Sequence, residues 1–206
     1  MLEFLVFAAL VSMLFAAFLY IRSMLKGCAK PNKITWLMWS IAPFIATAAA
    51  ISNGVGWAVL PVFMSGFLPF LVFGASFFVK KSFWKLSSFD YFCGALSALA
   101  LILWYVTKDP NMAIVFSIIS DGLAAAPTLA KTWQNPETES SWPFIIGIFN
   151  AATSVTAATM FSFSELAFPV YLIAINILLV LSIFNKKLRS HRQFHFSIYK
   201  TSRHIK

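Results

Sequence analysis

Apolar residues in this chain are gathered into long runs, which polar or turn-forming segments separate. A helix needs about 20 predominantly apolar residues to cross the roughly 30 Å of hydrocarbon in a bilayer. Seven runs approach or reach this length, and the pattern therefore predicts seven transmembrane helices. They cover residues 4–21, 34–51, 57–79, 88–106, 111–130, 142–160 and 166–184.

The composition favours a membrane protein over a soluble domain. Apolar residues make up 60% of the chain and charged residues only 11%, which is far from the balance of soluble proteins. The spans are predicted to be helices because open strands would leave backbone groups without partners in lipid. The alternation expected of a membrane barrel is missing from the sequence. The predicted fold class is an all-α membrane protein, with the lipid bilayer as its surroundings.

The net charge of +9 comes from cations on one side of the predicted spans. Of the sixteen Lys and Arg residues, all except Lys108 follow the first, third, fifth or seventh span. Basic loops remain in the cytosol, so the amino terminus is predicted outside and the carboxyl terminus inside, in the plasma or inner membrane of the cell. Residues 1–21 have no basic segment before their apolar run, which disfavours a cleaved signal peptide.

The carboxyl-terminal tail, residues 186–206, is basic with interleaved aromatic residues. This composition suits anionic lipid headgroups at the inner leaflet better than nucleic acid. His191 and His195 have the helical spacing of metal ligands, but no carboxylate or cysteine accompanies them, so neither a metal site nor a cofactor is predicted. Cys28 and Cys93 lie on the predicted cytosolic side and are expected to be free thiols.

Two segments of the chain, residues 31–50 and 136–155, resemble each other. Each has a polar loop with proline, then a hydroxyl residue and a tryptophan that enters a span, and Thr47 aligns with Thr153. Spans one to three and spans five to seven form two units of similar length. Because the fourth span lies between them, both units begin on the same side of the membrane and cross it in the same direction. This arrangement predicts a parallel repeat. Its parts are a first unit (1–86), a linker helix (87–108), a second unit (109–185) and the tail (186–206).

The run DGLAAAPTLAKTWQNPETESSW, residues 121–142, resembles the PQ-loop signature. It has a proline near the inner end of a span, a basic residue and a short loop that ends in serines. The usual Pro-Gln pair reads Pro127-Thr128, and the matching position in the first unit is Ile21-Arg22. The PQ-loop superfamily includes the SWEET and SemiSWEET sugar transporters. The resemblance implies two three-helix bundles, joined by a linker helix, around a cavity that opens alternately to the two sides.

Asp121 is about halfway along the fifth predicted span. A carboxylate inside the bilayer costs several kcal/mol unless it faces water or a partner, so this residue is a candidate for function. No basic residue lies within a span at the same depth, and we therefore expect Asp121 to exchange protons or to bind solute. The alternative is a structural acid that is bonded to hydroxyls such as Ser117 or to exposed backbone.

Three polar residues of the second unit are candidates for substrate binding: Asn150, Thr153 and Asn176. Amides can bond sugar hydroxyls or amino-acid headgroups without carrying charge. The resemblance implies a cavity position for Asn176, because SWEET-like proteins carry an asparagine on the third helix of each unit. The first unit has Phe70 at that position, which weakens the case for a sugar. Asn150 fits a hydrogen bond between helices equally well.

Prolines within or beside the spans are hinge candidates, namely Pro43, Pro127 and Pro143. Proline removes one helical hydrogen bond and can kink a helix. For Pro127, a helix that simply ends near the membrane interface is an equally good interpretation.

In the first unit, Trp39 and Thr47 are predicted to contribute to the substrate cavity.

Enzyme classes fit this sequence poorly. Asp90 and Asp121 lie on consecutive predicted spans, as in an intramembrane aspartyl protease, but their depths differ by roughly 10 Å at 1.5 Å per residue. Residues 166–184 contain no lysine that could bind retinal. No HExxH zinc motif or phosphate-binding glycine loop occurs either. The sequence therefore predicts no enzymatic activity.

The predicted function is transport of a small polar solute, such as a sugar or an amino acid, by alternating access with proton coupling through Asp121. The alternative is a membrane receptor or scaffold that does not transport and whose basic tail recruits partners or lipid. Formation of a homo-oligomer is left open, and no nucleic acid is expected as a partner.

Overall fold

The computed structural model describes the backbone of residues 2–79 and 84–203 and the side chains of residues 4–79, 84–103 and 105–184. Within these ranges the chain is helical and contains no strand. Short 3₁₀ turns at Trp57–Val59 and Pro136–Thr138 precede the third and sixth helices. The α-helices are α1 Leu2–Leu25, α2 Lys33–Ser52, α3 Leu60–Ala75, α4 Ser88–Thr107, α5 Pro110–Gln134, α6 Trp142–Ala157 and α7 Phe163–Arg203.

Six helices within the described ranges are long and apolar enough to cross a bilayer. The protein is therefore an all-α integral membrane protein with several spans. Helix α3 has 16 residues, and the 3₁₀ turn before it extends the span to 19 residues, Trp57–Ala75. Helix α6 also has 16 residues and is not among the six. At 1.5 Å per residue it extends about 24 Å, which is less than the thickness of the hydrocarbon layer. The predicted span at 142–160 thus corresponds to a helix that is shorter than the prediction.

Side-chain caps explain where α2 and α5 begin. Asn32 precedes α2, and its Oδ1 accepts hydrogen bonds from the backbone N–H groups of Ile34 at 3.1 Å and Thr35 at 3.3 Å. Asp109 caps α5 in the same way, and Pro110 follows it with a backbone angle that suits the first helical position. These caps satisfy amide groups that no helical carbonyl reaches.

Helix α4 begins with a reciprocal cap between Ser87 and Asp90. Oδ2 of Asp90 accepts hydrogen bonds from the backbone N–H and the hydroxyl of Ser87, each at 2.5 Å. Its Oδ1 accepts from the side-chain amide of Asn32, which links the start of α4 to the start of α2. Asp90 is thus a buried structural acid, and its S-x-x-D spacing from Ser87 is the sequence signature of such a cap.

The helices pack so that α3 contacts both α1 and α2, while α7 contacts both α5 and α6. In addition, α1 packs on α6, α2 packs on α5, and α4 packs on α5 and α2. Small side chains at these crossings let the helix backbones approach closely. The buried alanines include Ala16, Ala17, Ala46, Ala113, Ala124 and Ala151.

The distribution of side chains is that of a protein surrounded by lipid. Many large apolar side chains point outward, including Phe7, Phe15, Phe92, Leu103 and Leu181. Polar side chains are buried between the helices instead, where hydrogen bonds can satisfy them. These interior polar residues include Ser40, Ser97, Ser120, Asp121 and Asn150. A functional site is therefore expected in the interior of the bundle.

Candidate functional site

Asp121 faces the interior of the helix bundle and not the lipid. Only 3% of its surface is exposed. Its Oδ2 accepts a hydrogen bond of 2.8 Å from the hydroxyl of Tyr171 on α7. Its Oδ1 has no hydrogen-bond partner among the described residues. One carboxylate oxygen is thus held by the protein and the other remains available.

Two side chains of α2 bond directly to the backbone of α5 around Asp121. The indole Nε1 of Trp39 donates to the carbonyl oxygen of Asp121 at 3.2 Å. One turn away, the hydroxyl of Thr35 donates to the carbonyl oxygen of Ala124 at 2.8 Å. Helices α2, α5 and α7 therefore meet at Asp121 and fix the backbone that carries its side chain.

A small cavity borders Asp121 at the centre of the bundle. Among the described side chains, its lining comes from every helix except α4 and is mostly apolar. Its volume of about 60 Å³ has room for about four to six water molecules. Ligand pockets for larger molecules usually exceed about 300 Å³, so in this conformation the cavity suits a very small ligand. The polar residues in its lining are Ser65, Asp121 and Asn176.

Three aromatic residues form one side of this cavity, and we call Trp36, Trp39 and Phe144 the aromatic wall. The ring centroids of Trp36 and Trp39 lie 5.5 Å apart at an interplanar angle of 78°. Those of Trp39 and Phe144 lie 6.0 Å apart at 75°. Edge-to-face pairs of this kind stabilise one another. The wall joins α2 to α6.

Asn176 lies opposite Gly147 in the cavity. Its Nδ2 donates to the carbonyl oxygen of Leu172 at 2.7 Å, one turn back along α7. Its Oδ1 has no hydrogen-bond partner among the described residues. A Cβ atom at Gly147 would lie 2.9 Å from this oxygen. The glycine therefore leaves the space that the amide occupies.

The structure brings together some of the predicted substrate-binding residues and places others elsewhere. Asp121, Trp39 and Asn176 all line the cavity. Asn150 is fully buried and lies outside the cavity lining. Its Nδ2 donates to the carbonyl oxygen of Pro61 at 2.6 Å, and this bond joins α6 to α3. This is the helix-joining role that was its alternative interpretation.

Two predicted hydroxyl residues also lie outside the cavity lining. The hydroxyl of Thr153 donates to the carbonyl oxygen of Asn150 within α6, at 2.7 Å. Thr47 is buried in α2, and its hydroxyl has no hydrogen-bond partner among the described residues. Neither side chain therefore borders the cavity beside Asp121.

The predicted hinge prolines fall at two kinds of position. Pro43 lies inside α2 and Pro127 inside α5, where each removes a helical hydrogen bond. Because α5 continues to Gln134, Pro127 does not mark the end of a helix. Pro143 lies in the first turn of α6, where proline is tolerated without the loss of an interior bond. Pro69, which the sequence pattern did not single out, lies inside α3 and lines the cavity.

Tyr171 contacts the candidate acid but was not identified from the sequence. Its hydroxyl donates to the carboxylate of Asp121, which lies 50 residues earlier in the chain. Ser117, suggested from the sequence as a structural partner of Asp121, is buried, and its hydroxyl has no hydrogen-bond partner among the described residues. The available signal was a tyrosine in the middle of an apolar span, since a buried tyrosine hydroxyl usually finds a polar partner.

A second buried polar group lies where the α1–α2 and α5–α6 loops meet, and we call Tyr20, Lys131 and Glu139 the loop cluster. Lys131 and Glu139 form an ion pair whose side chains are each 1% exposed. Tyr20 donates to Oε1 of Glu139 at 2.5 Å, and Nζ of Lys131 donates to the carbonyl oxygen of Lys30 at 2.8 Å. The ring centroid of Tyr20 lies 4.6 Å from that of Trp36, so the loop cluster adjoins the aromatic wall.

Metal-binding chemistry finds no support in the part of the chain whose side chains are described. No group of three or more His, Cys, Asp or Glu side chains is placed to hold an ion within it. The histidines of the tail, including His191 and His195, lie outside the described side chains. The basic tail and its predicted contact with lipid headgroups lie outside them as well.

Replacing Tyr171 with Phe tests the bond to Asp121. Tyr171→Phe removes the hydroxyl and leaves a buried carboxyl oxygen without its partner, so we expect the free energy of unfolding to fall by about 1–3 kcal/mol. The measurement is the thermal midpoint of the purified protein in detergent. Tyr91→Phe is the control, because Tyr91 is 61% exposed. Equal midpoints for the two variants would contradict the assignment.

Replacing Gly147 with Ala tests the close contact with Asn176. The new methyl group would meet the amide at 2.9–3.2 Å, so Gly147→Ala should lower the thermal midpoint of the wild type. It should lower that of an Asn176→Ala background much less, because the atoms it meets are then missing. Gly74→Ala is the control, since nothing lies within 4 Å of its added Cβ. An equal effect in both backgrounds would show that the contact does not exist.

Comparison of the chain with protein-family models, with curated proteins and with solved structures found no match.

Proposed function

We propose that this protein is a membrane transporter that moves a small polar solute by alternating access, as the resemblance of residues 121–142 to the PQ-loop signature implies. The observation that carries the proposal is the placement of Asp121. Its carboxylate is buried mid-span, has one oxygen without a hydrogen bond from any described residue, and borders a cavity at the centre of the bundle. Intramembrane acids that face a cavity are typical of solute or proton pathways.

The proposed architecture is two parallel three-helix units with α4 as the linker. Its support is the matching pattern of contacts in the two halves. The third helix of each unit, α3 or α7, contacts the first and second helices of that unit, and the first helix of each unit packs on the second helix of the other. Units related in this way can rock against each other around a central site.

In the proposed orientation, the loop cluster closes the cytosolic end of the cavity. The basic residues that follow α1, α3 and α5 favour that side of the membrane. At the opposite end, the amide of Asn53 donates to the hydroxyl of Ser164 at 2.8 Å and to Oδ1 of Asn111 at 3.2 Å. Asn53 and Asn111 are exposed and Ser164 is half-buried, whereas the ion pair of the loop cluster is buried. Inward opening therefore requires the larger rearrangement, since it breaks the bonds from Tyr20 to Glu139 and from Lys131 to the carbonyl of Lys30, which join the first unit to this buried pair.

The contacts of Asp121 support the proposal that it couples transport to protons. Tyr171 is the one described side chain that bonds the carboxylate, and no Lys, Arg or His is among the described residues that line the cavity. A solute or a proton must therefore supply any balancing charge at this site. Exchange between the two would couple solute movement to a proton gradient.

The experiment that tests transport is uptake into proteoliposomes. Purified protein is first screened against sugars, amino acids and small amines, because a ligand that prefers the folded state raises the thermal midpoint. Solutes that raise it are then tested as labelled compounds, with empty liposomes as the control. Uptake above the control for at least one solute is the expected result. The proposal fails if no solute in the panel enters the liposomes faster than in the control.

Deletion of residues 187–206 separates transport from the alternative role as a receptor or scaffold. A transporter whose cavity lies among α1–α7 should retain uptake without the tail, because the described cavity lining ends at Asn176. A scaffold that acts through the basic tail should lose its partners or its affinity for anionic lipid. Loss of uptake on deletion, with an unchanged thermal midpoint, would count against the proposed mechanism.

A further inference from the structure

The charge of the cavity lining restricts what can bind in it. Asp121 is the one acidic residue in the described lining, and Lys, Arg and His are missing from it. An ionised carboxylate only accepts hydrogen bonds, and Oδ1 of Asp121 has no such bond within the described part of the chain. An anionic ligand would meet an uncompensated negative charge in a poorly solvated place. A cationic ligand would neutralise it.

Ser65 and Asn176 present hydrogen-bond acceptors to the cavity as well. Trp36 adds a donor to the lining, because its indole N–H has no hydrogen-bond partner among the described residues. Asn176 uses one N–H of its amide on the carbonyl of Leu172 and leaves its second N–H and Oδ1 unbonded among the described residues. The hydroxyl of Ser65 donates to the carbonyl oxygen of Val62 at 2.6 Å, which leaves only its lone pairs for a ligand. A ligand with several N–H donors can bond the free oxygens of Asp121, Ser65 and Asn176 at the same time.

The aromatic wall adds a second preference for positive charge. Cations are attracted to the faces of aromatic rings, and the attraction is larger where water is excluded. Trp36, Trp39 and Phe144 line the same cavity as Asp121 and are all largely buried. The aliphatic part of an alkylamine would also be favoured by apolar contact with these rings.

We propose that the cavity beside Asp121 binds a small protonated alkylamine, with its ammonium group at Asp121 and its alkyl group against the aromatic wall. This assigns a substrate class to the transporter proposed above and rests on that proposal. The volume of about 60 Å³ limits the ligand to about four to six non-hydrogen atoms, if each occupies about as much space as a water molecule.

Calorimetric titration of the purified protein with three ligands of equal chain length tests this inference. The ligands are n-butylammonium, 1-butanol and butyrate, at constant ionic strength. We expect n-butylammonium to bind at least about tenfold more tightly than 1-butanol, given the worth of a buried charge contact, and butyrate not to bind. Equal affinity for the amine and the alcohol would overturn the proposal.

Variants locate the site within the cavity. Asp121→Asn should abolish the preference for the amine over the alcohol. Phe144→Leu should weaken binding of the amine by about three- to tenfold and that of the alcohol less, because the cation loses an aromatic ring. Phe149→Leu is the control, since Phe149 is on the same helix but 44% exposed. If Asp121→Asn does not fold, the comparison of the two phenylalanine variants still decides. Unchanged amine affinity in Phe144→Leu would then overturn the proposal.

Binding and transport fail separately in this design. If the protein takes up a neutral solute in proteoliposomes but does not bind n-butylammonium, the alkylamine site is wrong and transport stands. If n-butylammonium binds with the expected variant pattern but no solute is taken up, the site stands and transport is wrong.

Discussion

Asp121→Asn should abolish solute uptake into proteoliposomes, or leave a residual uptake that no longer changes with pH. Asn has nearly the same shape as Asp, and its Oδ1 can still accept the hydroxyl of Tyr171, so the packing at the site should be kept. It cannot take up or release a proton, however, and it carries no charge that attracts a cation. The loss of uptake should be at least about tenfold, as expected for one buried charge contact.

The measurement is the initial rate of uptake at several external pH values, for the wild type and the variant at equal protein content. Asp109→Asn is the matched control. Asp109 is an exposed residue that caps the start of the same helix, and Asn caps a helix about as well as Asp. A variant at Asp121 with the rate and the pH profile of the wild type would remove this residue from the mechanism.

Lys131→Met should destabilise the protein by about 3–5 kcal/mol, which is more than the loss expected for Tyr171→Phe. The substitution leaves the carboxylate of Glu139 buried without its cation, in a place where both side chains are 1% exposed. It also removes the donor to the carbonyl oxygen of Lys30. The remaining hydrogen bond from Tyr20 cannot neutralise the charge. We expect a large fall in the thermal midpoint in detergent.

The double variant Lys131→Met with Glu139→Gln should recover much of this loss, because no unpaired charge then remains buried. Lys26→Met is the control, since Lys26 is an exposed residue beside the same loop. If Lys131→Met lowers the midpoint no more than Lys26→Met does, the loop cluster does not hold the two loops together.

The span boundaries show where hydropathy is sufficient and where it is not. Hydropathy predicts α2 at 34–51, and the helix forms at Lys33–Ser52, because apolar content and the Asn32 cap agree there. It predicts that α5 ends at 130, but the helix continues to Gln134. The last turn of α5 contains Lys131 and Thr132, which on hydropathy alone mark a membrane boundary. Both are buried, through bonds to Glu139 and Ser182.

The boundary between α6 and α7 differs from the prediction for a related reason. Helix α6 ends at Ala157 and α7 begins at Phe163, whereas the apolar runs predict 160 and 166. Glu165 in the first turn of α7 accepts hydrogen bonds from the hydroxyl of Thr159 and the backbone N–H of Met160. Glu165 thus satisfies polar groups of the loop before α7. The apolar run begins only after this glutamate, so hydropathy places the start of the helix too late.

The candidate site divides in the same way. Asp121 stands out in the sequence because a carboxylate in a long apolar run is costly wherever it faces. Asn150 and Asn176 look alike in the sequence, yet Asn176 lines the cavity and Asn150 bonds the carbonyl of Pro61. Whether an amide faces the cavity or a neighbouring helix depends on how the helices pack. That packing does not follow from the hydropathy pattern.

The amino-acid sequence by itself determined three things: that the chain is a membrane protein, the positions of most of its helices, and the identity of the acid at mid-span. The reason is that the free-energy cost of moving each residue into hydrocarbon is local and adds up along a helix. Only the tertiary structure decided that Tyr171 bonds Asp121, that three aromatic side chains share its cavity and that Tyr20 bonds Glu139. Those contacts join segments far apart in the chain, and their geometry follows from the crossing of whole helices.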